Sequence, residues 1–293
     1  MPESAVVAQA VVRSGPRQPF GSRLAAAMAD LGPLCVGIDP HPGLLSDWGL
    51  NDDVAGLERF SLTVVEAVAT LAAAVKPQVA LYERHGSAGM AVLERTLAAA
   101  SDAGVLSIAD AKRGDIGSTM AAYADAWLRD GSSLAADSVT LSPYLGFESL
   151  RPALDLADEY GRGVFVLALT SNPEGKSVQH VGGSESVARR IAEAAADENR
   201  RYAGTMGSVG LVVGATIGTA LVDLGLDLNA VRGPILAPGL GAQGATPADL
   251  RATFGEAYPA VLATSSRGIL AAGPAVAGLR SATEATRDGL LEG

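Results

Sequence analysis

Short apolar runs recur along the whole chain, at residues 34–39, 75–80, 105–112, 139–142, 163–171, 209–215, 234–238 and 260–264. Each is brief, rich in aliphatic residues and bounded by Gly, Pro or polar turn residues, the pattern of a strand buried on both faces. Between them lie longer Ala-rich stretches, among them 57–73, 86–103, 120–129 and 185–201, with the length and composition of helices. Eight such units in ~250 residues predict a single-domain (β/α)8 barrel, with an open doubly wound sheet as the structural alternative. No break marks a second domain, so the barrel is expected over residues 20–293, preceded by a flexible tail at 1–19.

Barrels carry their chemistry at the C-terminal ends of the strands. Polar residues gather at those ends here: Asp39, Lys76, Asp110, Lys112, Ser171, Gln243 and Arg267. The densest group is Asp110-Ala-Lys112-Arg-Gly-Asp115-Ile116-Gly-Ser118-Thr119, at the end of the third run. Residues two apart on a strand share a face, so Asp110 and Lys112 point the same way, and Asp115 follows on the loop. Ser118 is read as the cap of the next helix. An Asp-x-Lys pair is ordinarily a surface ion pair, but this strand is otherwise apolar and its end is expected to be buried, where desolvated charges are usually functional. Gly114 and Gly117 let backbone approach the site closely. Glu83, after the second run, is a weaker candidate for orienting a nearby lysine.

The segment Pro238-Gly239-Leu-Gly241-Ala-Gln243-Gly244 satisfies G-x-G-x-x-G and precedes a helix opened by Thr246 and Pro247. A dinucleotide site further needs an acid at the end of the next strand, and that strand ends in Thr264-Ser-Ser-Arg267-Gly268. The pattern therefore reads as a phosphate site built from the loops after strands 7 and 8, where Gly-rich amides and an arginine fork converge on one anion.

Composition narrows the partners. A net charge of -10 without any basic run argues against nucleic acid and against an anionic membrane surface. Residues 1–19 lack the basic start and long apolar core of a signal peptide, and the uncharged stretch 202–222 is punctuated by glycines, so no membrane span is expected. The single Cys35 lies in an apolar run and reads as a buried, inert thiol; with no intrachain disulfide possible, a reducing cytoplasm is the expected location. His41 reads as a turn residue and His85 and His180 as exposed loop residues. None of the three has metal-ligand spacing, so neither a metal nor a cofactor is expected.

A lysine between carboxylates favours its charged form, which suits a proton donor better than an imine-forming nucleophile. A charged acid facing a phosphorylated substrate fits a reaction that makes a carbanion and protonates it, such as decarboxylation. Here the residues reach a known family. The Asp110–Thr119 motif closely resembles the signature of the orotidine 5'-phosphate decarboxylase family, in its longer bacterial subgroup. The likeness runs from residue 20 to about 278, through L-C-V-G-I-D-P-H-P, V-K-P-Q, L-T-S-N-P, A-P-G-L-G-A-Q-G and the Arg267 segment.

The resemblance implies metal-free conversion of orotidine 5'-phosphate to UMP and carbon dioxide, the last step of de novo UMP synthesis, by a homodimer with shared active sites. It implies that Asp39 and Lys76 bind the ribose and extend the charge network, and that Asp110 and Lys112 are catalytic, Lys112 protonating C6. Asp115, Ile116 and Thr119 would enter the partner's site, and Ser171 would contact the pyrimidine at the base of a lid. Gln243 and Arg267 would hold the phosphate, with Pro238, Gly244 and Ser266 lining the same substrate site. Ser265-Ser266 precedes Arg267 where a Gly-Arg pair is common in the family, a departure confined to the backbone part of the phosphate grip. Two rivals remain: a Mg²⁺-dependent sugar-phosphate decarboxylase or synthase of the same superfamily, and a noncatalytic nucleotide-binding barrel. The first would need acidic ligands near the second strand, which Lys76 occupies here.

Overall fold

The computed structural model describes residues 17–202, 204–241 and 244–292. Eight strands pair in sequence order into a closed parallel barrel, β1 closing on β8. They are β1 (Leu34–Ile38), β2 (Ala74–Pro77), β3 (Leu106–Arg113), β4 (Ser138–Leu141), β5 (Gly163–Leu169), β6 (Val209–Val213), β7 (Ile235–Pro238) and β8 (Val261–Ser265). A helical segment follows each strand, among them Val54–Val68, Gly86–Asp102, Gly117–Leu128 and Val187–Asn199. The strands are buried almost throughout because the helices cover their outer faces and the barrel fills its own interior. No helix among the described residues is long and apolar enough to cross a membrane.

Two apolar clusters divide the core. The larger lies between strands and helices; the smaller runs along the barrel axis and includes Cys35, Ile108, Phe165, Val212, Leu236 and Leu262. Its lower end is sealed by the helix Phe20–Leu31, which no apolar-run argument had singled out. Phe20 meets Phe165 edge-on, with ring centroids 5.9 Å apart. Gly163 permits this, since a Cβ there would sit 2.1 Å from the Phe20 ring. Arg23 on the same helix pairs with Asp137 at 2.5 Å, just before β4. Arg17, on the tail side of the expected boundary, donates to Asp130 and to the Tyr160 carbonyl.

The caps follow the sequence in one place and depart from it in another. Thr246 and Asp249 form a reciprocal capping box with Pro247 in the first turn, so that helix starts where expected. The helix Gly117–Leu128 instead begins after Ile116, with no side-chain cap. Ser118 lies inside its first turn, because the chain is already helical at Gly117 and leaves no extended residue at 118 to cap from.

Candidate active site

The C-terminal ends of the strands surround a cavity of about 320 Å3. Asp39, Lys76, Asp110, Lys112, Pro238, Ser266 and Arg267 all line it, with Leu167, Val212 and Leu236 contributing apolar surface. Seven residues singled out from five strand ends thus meet in one place, because a parallel barrel brings every strand's C-terminus to the same rim.

Asp110 is the centre of the charge array. Its Oδ2 accepts from Lys76 Nζ at 2.8 Å and from Gln78 Nε2 at 3.1 Å. Its Oδ1 accepts from Lys112 Nζ at 2.6 Å and from the Thr140 hydroxyl at 2.9 Å. Four donors fill the roughly four acceptor positions a carboxylate offers. Burial alone would raise the Asp110 pKa, but the two ammonium groups more than offset it and hold the carboxyl well below its usual range. Burial likewise works against the charge on Lys76, and the carboxylates of Asp110 and Asp39 reverse the balance, raising its pKa. Both partners are therefore ionised in the folded chain.

The two lysines differ in access. The Lys76 side chain is 6% exposed, whereas that of Lys112 is 45% exposed and also reaches Gln78 Oε1 at 3.3 Å. Lys112 adopts a left-handed backbone, φ 49°, an uncommon conformation for a side-chain-bearing residue. The β3–β4 register shifts between Ala109 and Arg113, so strand alternation is broken where Lys112 sits. Neighbours hold the kink in place. Arg113 pairs with Glu83 and lies over the Tyr123 and Trp127 rings. Gly114 packs so closely that a Cβ would fall 2.2 Å from the Ser142 carbonyl oxygen. Glu83, expected to orient a site lysine, pairs with Arg113 in this clamp instead and does not line the cavity.

Beyond the array, Asp39 Oδ1 is buried without a hydrogen-bond partner, a costly arrangement for a polar atom left unfilled. Ser266 reaches over Gly37, where a Cβ would sit 1.9 Å from its hydroxyl oxygen. The turn after β7 brings Gly239 and Leu240 to the same rim as Arg267.

Other singled-out residues stand apart. Asp115 does not bond Lys112; its Oδ1 accepts from the Ile116 backbone N–H. Ile116 is 61% exposed and Thr119 is exposed, on the same rim as exposed Tyr144 and Leu145. Ser171 and Gly244 are outside the cavity lining, and Gln243 lies outside the described residues. The segment after Ser171 forms short helical turns, and its Gln179 amide bonds Thr170 twice, accepting from the backbone N–H and donating to the hydroxyl. His41 lines the cavity, and His85 is half-buried beside Asp52 rather than loose in solvent. No three His, Cys, Asp or Glu side chains among the described residues group so as to hold a metal ion.

Gln78 and Thr140 were missed from the sequence. Gln78 carried a faint signal, two residues beyond Lys76 on the same strand end. Thr140 reads as an ordinary alternating residue of β4.

Fold and cavity together define a (β/α)8 barrel with a charged pocket at the C-terminal rim. A sequence profile of the orotidine 5'-phosphate decarboxylase / HUMPS family matches residues 32–282, and the chain belongs to that family. It is 59% identical to an orotidine 5'-phosphate decarboxylase from Salinispora arenicola over 90% of this chain and 94% of that protein. A Streptomyces coelicolor protein of the same name is 57% identical over 91% and 95%. A crystal structure from Streptomyces avermitilis bearing that name superimposes with a TM-score of 0.91, at 55% identity, over 97% and 98% of the two chains. The OMP decarboxylase of Leishmania donovani gives 0.74 at 31% identity, over 94% and 98%.

Proposed function

We propose that this chain decarboxylates orotidine 5'-phosphate to UMP, acting in the cytoplasm. Relatives of that name at 57–59% identity across nine-tenths of the chain support the reaction. The observation that carries the mechanism is the Lys112 ammonium held 2.6 Å from Asp110 at the cavity wall. The bond from C6 to the carboxylate breaks, its electron pair stays on C6, and Lys112 supplies the proton that completes UMP; solvent then recharges the amine. Asp110 opposes the substrate carboxylate across the pocket, a charge conflict that ends as carbon dioxide leaves. Asp39, with its unfilled Oδ1, and Lys76 take the ribose, Ser171 the base, and Gln243 and Arg267 the phosphate, beside Pro238, Gly244 and Ser266.

The working unit in this reading is a homodimer. Asp115 bonds the Ile116 N–H and not its own lysine, and Ile116 and Thr119 are exposed, which favours their completing the pocket of a second copy.

Turnover is metal-free in this account, supported by an Asp110 carboxylate whose acceptor positions are already taken by protein donors. The test is loss of orotidine 5'-phosphate absorbance in excess chelator, with an unchanged rate expected. Activity that vanishes and returns with Mg²⁺ would move the chain toward the sugar-phosphate branch of its superfamily. Nucleotide binding without turnover would make it a noncatalytic barrel.

A further inference from the structure

We propose that Thr140 is a positioning residue for Lys112, fixing the lysine's strained backbone and the Asp110 carboxylate through a single hydroxyl. The inference rests on Lys112 being the proton donor, as argued above.

The geometry closes a ring. The Thr140 hydroxyl accepts from the Lys112 backbone N–H at 2.9 Å and donates to Asp110 Oδ1 at 2.9 Å. That same Oδ1 accepts from Lys112 Nζ at 2.6 Å. One side chain therefore bonds the start of the lysine and the anion that anchors its end. A hydroxyl has one proton to give, and with the amide N–H occupying its acceptor side, that proton is directed at Asp110.

The backbone explains why a side chain is needed there. Between Ala109 and Arg113 the β3–β4 pairing slips, and the Lys112 N–H finds a threonine oxygen in place of a strand carbonyl. Lys112 also bears a left-handed φ of 49°, a strained conformation for an L-residue that persists only where surroundings fix it. Thr140 is fully buried, so no water can replace its hydroxyl without rearrangement. Valine has nearly the same shape and neither function. Serine keeps both and loses only a methyl group.

The experiment compares wild type, Thr140→Val and Thr140→Ser for kcat, KM, melting temperature and affinity for UMP. For Thr140→Val, kcat should fall about 10- to 100-fold, as expected for a displaced catalytic group, with KM and UMP affinity within about threefold. Thr140→Ser should recover kcat to within about threefold of wild type. A valine variant with wild-type kcat would overturn the proposal. So would kcat and UMP affinity falling together in valine and serine variants alike, which would mark a packing role. Absence of turnover in wild type would instead bring down the decarboxylase reading beneath it.

Discussion

The two ends of the barrel both pair charges, and they use them differently. At the N-terminal end, Arg23–Asp137, Arg17–Asp130 and Arg162–Asp130 join segments more than 30 residues apart, and guanidinium groups also bond backbone carbonyls of Tyr160, Gly161 and Ala136. These pairs tie the helix Phe20–Leu31 and the loops beneath the strands together. At the C-terminal end, Lys76, Asp110 and Lys112 sit on adjacent strands that the barrel already holds side by side. That array is redundant for joining the chain, yet it carries a strained lysine and borders a cavity with an unfilled carboxylate oxygen. Charge that connects distant segments marks construction; charge that crowds already connected strands around a space marks chemistry.

The largest expected effect tests the open end. Lys112→Ala should lower turnover by about 10³-fold or more by removing the proton donor, while UMP still binds through its phosphate and base contacts. Near-normal turnover would refute the catalytic assignment and erase the distinction between the two ends.

How far the sequence foretold this contrast depends on what kind of signal each part leaves. The eight strands were legible because each is a short, largely apolar run bounded by turn residues, and their pairing order followed from the parallel barrel. Asp110 and Lys112 were legible as charges ending such a run. The left-handed backbone at Lys112 was not, since it arises from a slip against β4 that no residue type in β3 announces. Gln78 and Thr140 act through position across neighbouring strands, and a polar residue in a four-residue strand looks the same whether it faces a helix or an aspartate. The sealing helix was hidden for a similar reason: Phe20 and Leu24 matter because of Gly163 and Phe165, far away in sequence. Ser118 misled because it suits a cap by type, while the backbone had entered the helix before it.

Subunit exchange asks whether the open end is finished by a second chain. Inactive Lys112→Ala and Asp115→Asn proteins are mixed and allowed to exchange. Each mixed dimer then has one site with both intact groups and one with both lesions. Random exchange makes about half the dimers mixed, so activity should rise to roughly one quarter of wild type. If exchange is verified and nothing returns, Asp115 acts within its own chain.

The closed end should respond in the opposite way. Asp137 accepts from Arg23 and from both the backbone N–H and the hydroxyl of Ser107. Asp137→Ala leaves these donors unpaired and should cost about 2–3 kcal/mol of stability, lowering the melting temperature by roughly 5 °C. Below the melt, kcat should stay within about twofold of wild type. A loss of kcat approaching that of Lys112→Ala would show that the two ends are coupled.

The smallest effect locates the border between them. Cys35 lies fully buried in the axial core, below Lys76. Burial pushes its thiol up to about 12, with the Lys76 ammonium pulling it part of the way back. An acid whose folded pKa exceeds its unfolded value keeps its proton in the native chain while the unfolded chain releases it. The native state therefore loses stability as pH rises from about 9 toward 12, and is unaffected below that window. By pH 10 the loss is on the order of 1 kcal/mol. Tyr82 and Lys76, also raised, add alkaline losses of the same sign, so the measurement is a difference. Cys35→Ala should be less stable than wild type at pH 7, by about 1 kcal/mol for the lost packing, and that deficit should shrink or vanish by pH 10 in urea melts. A deficit that stays constant from pH 7 to 10 would mean that the thiol already ionises as easily in the folded chain, and that the charged end of the barrel reaches down to β1.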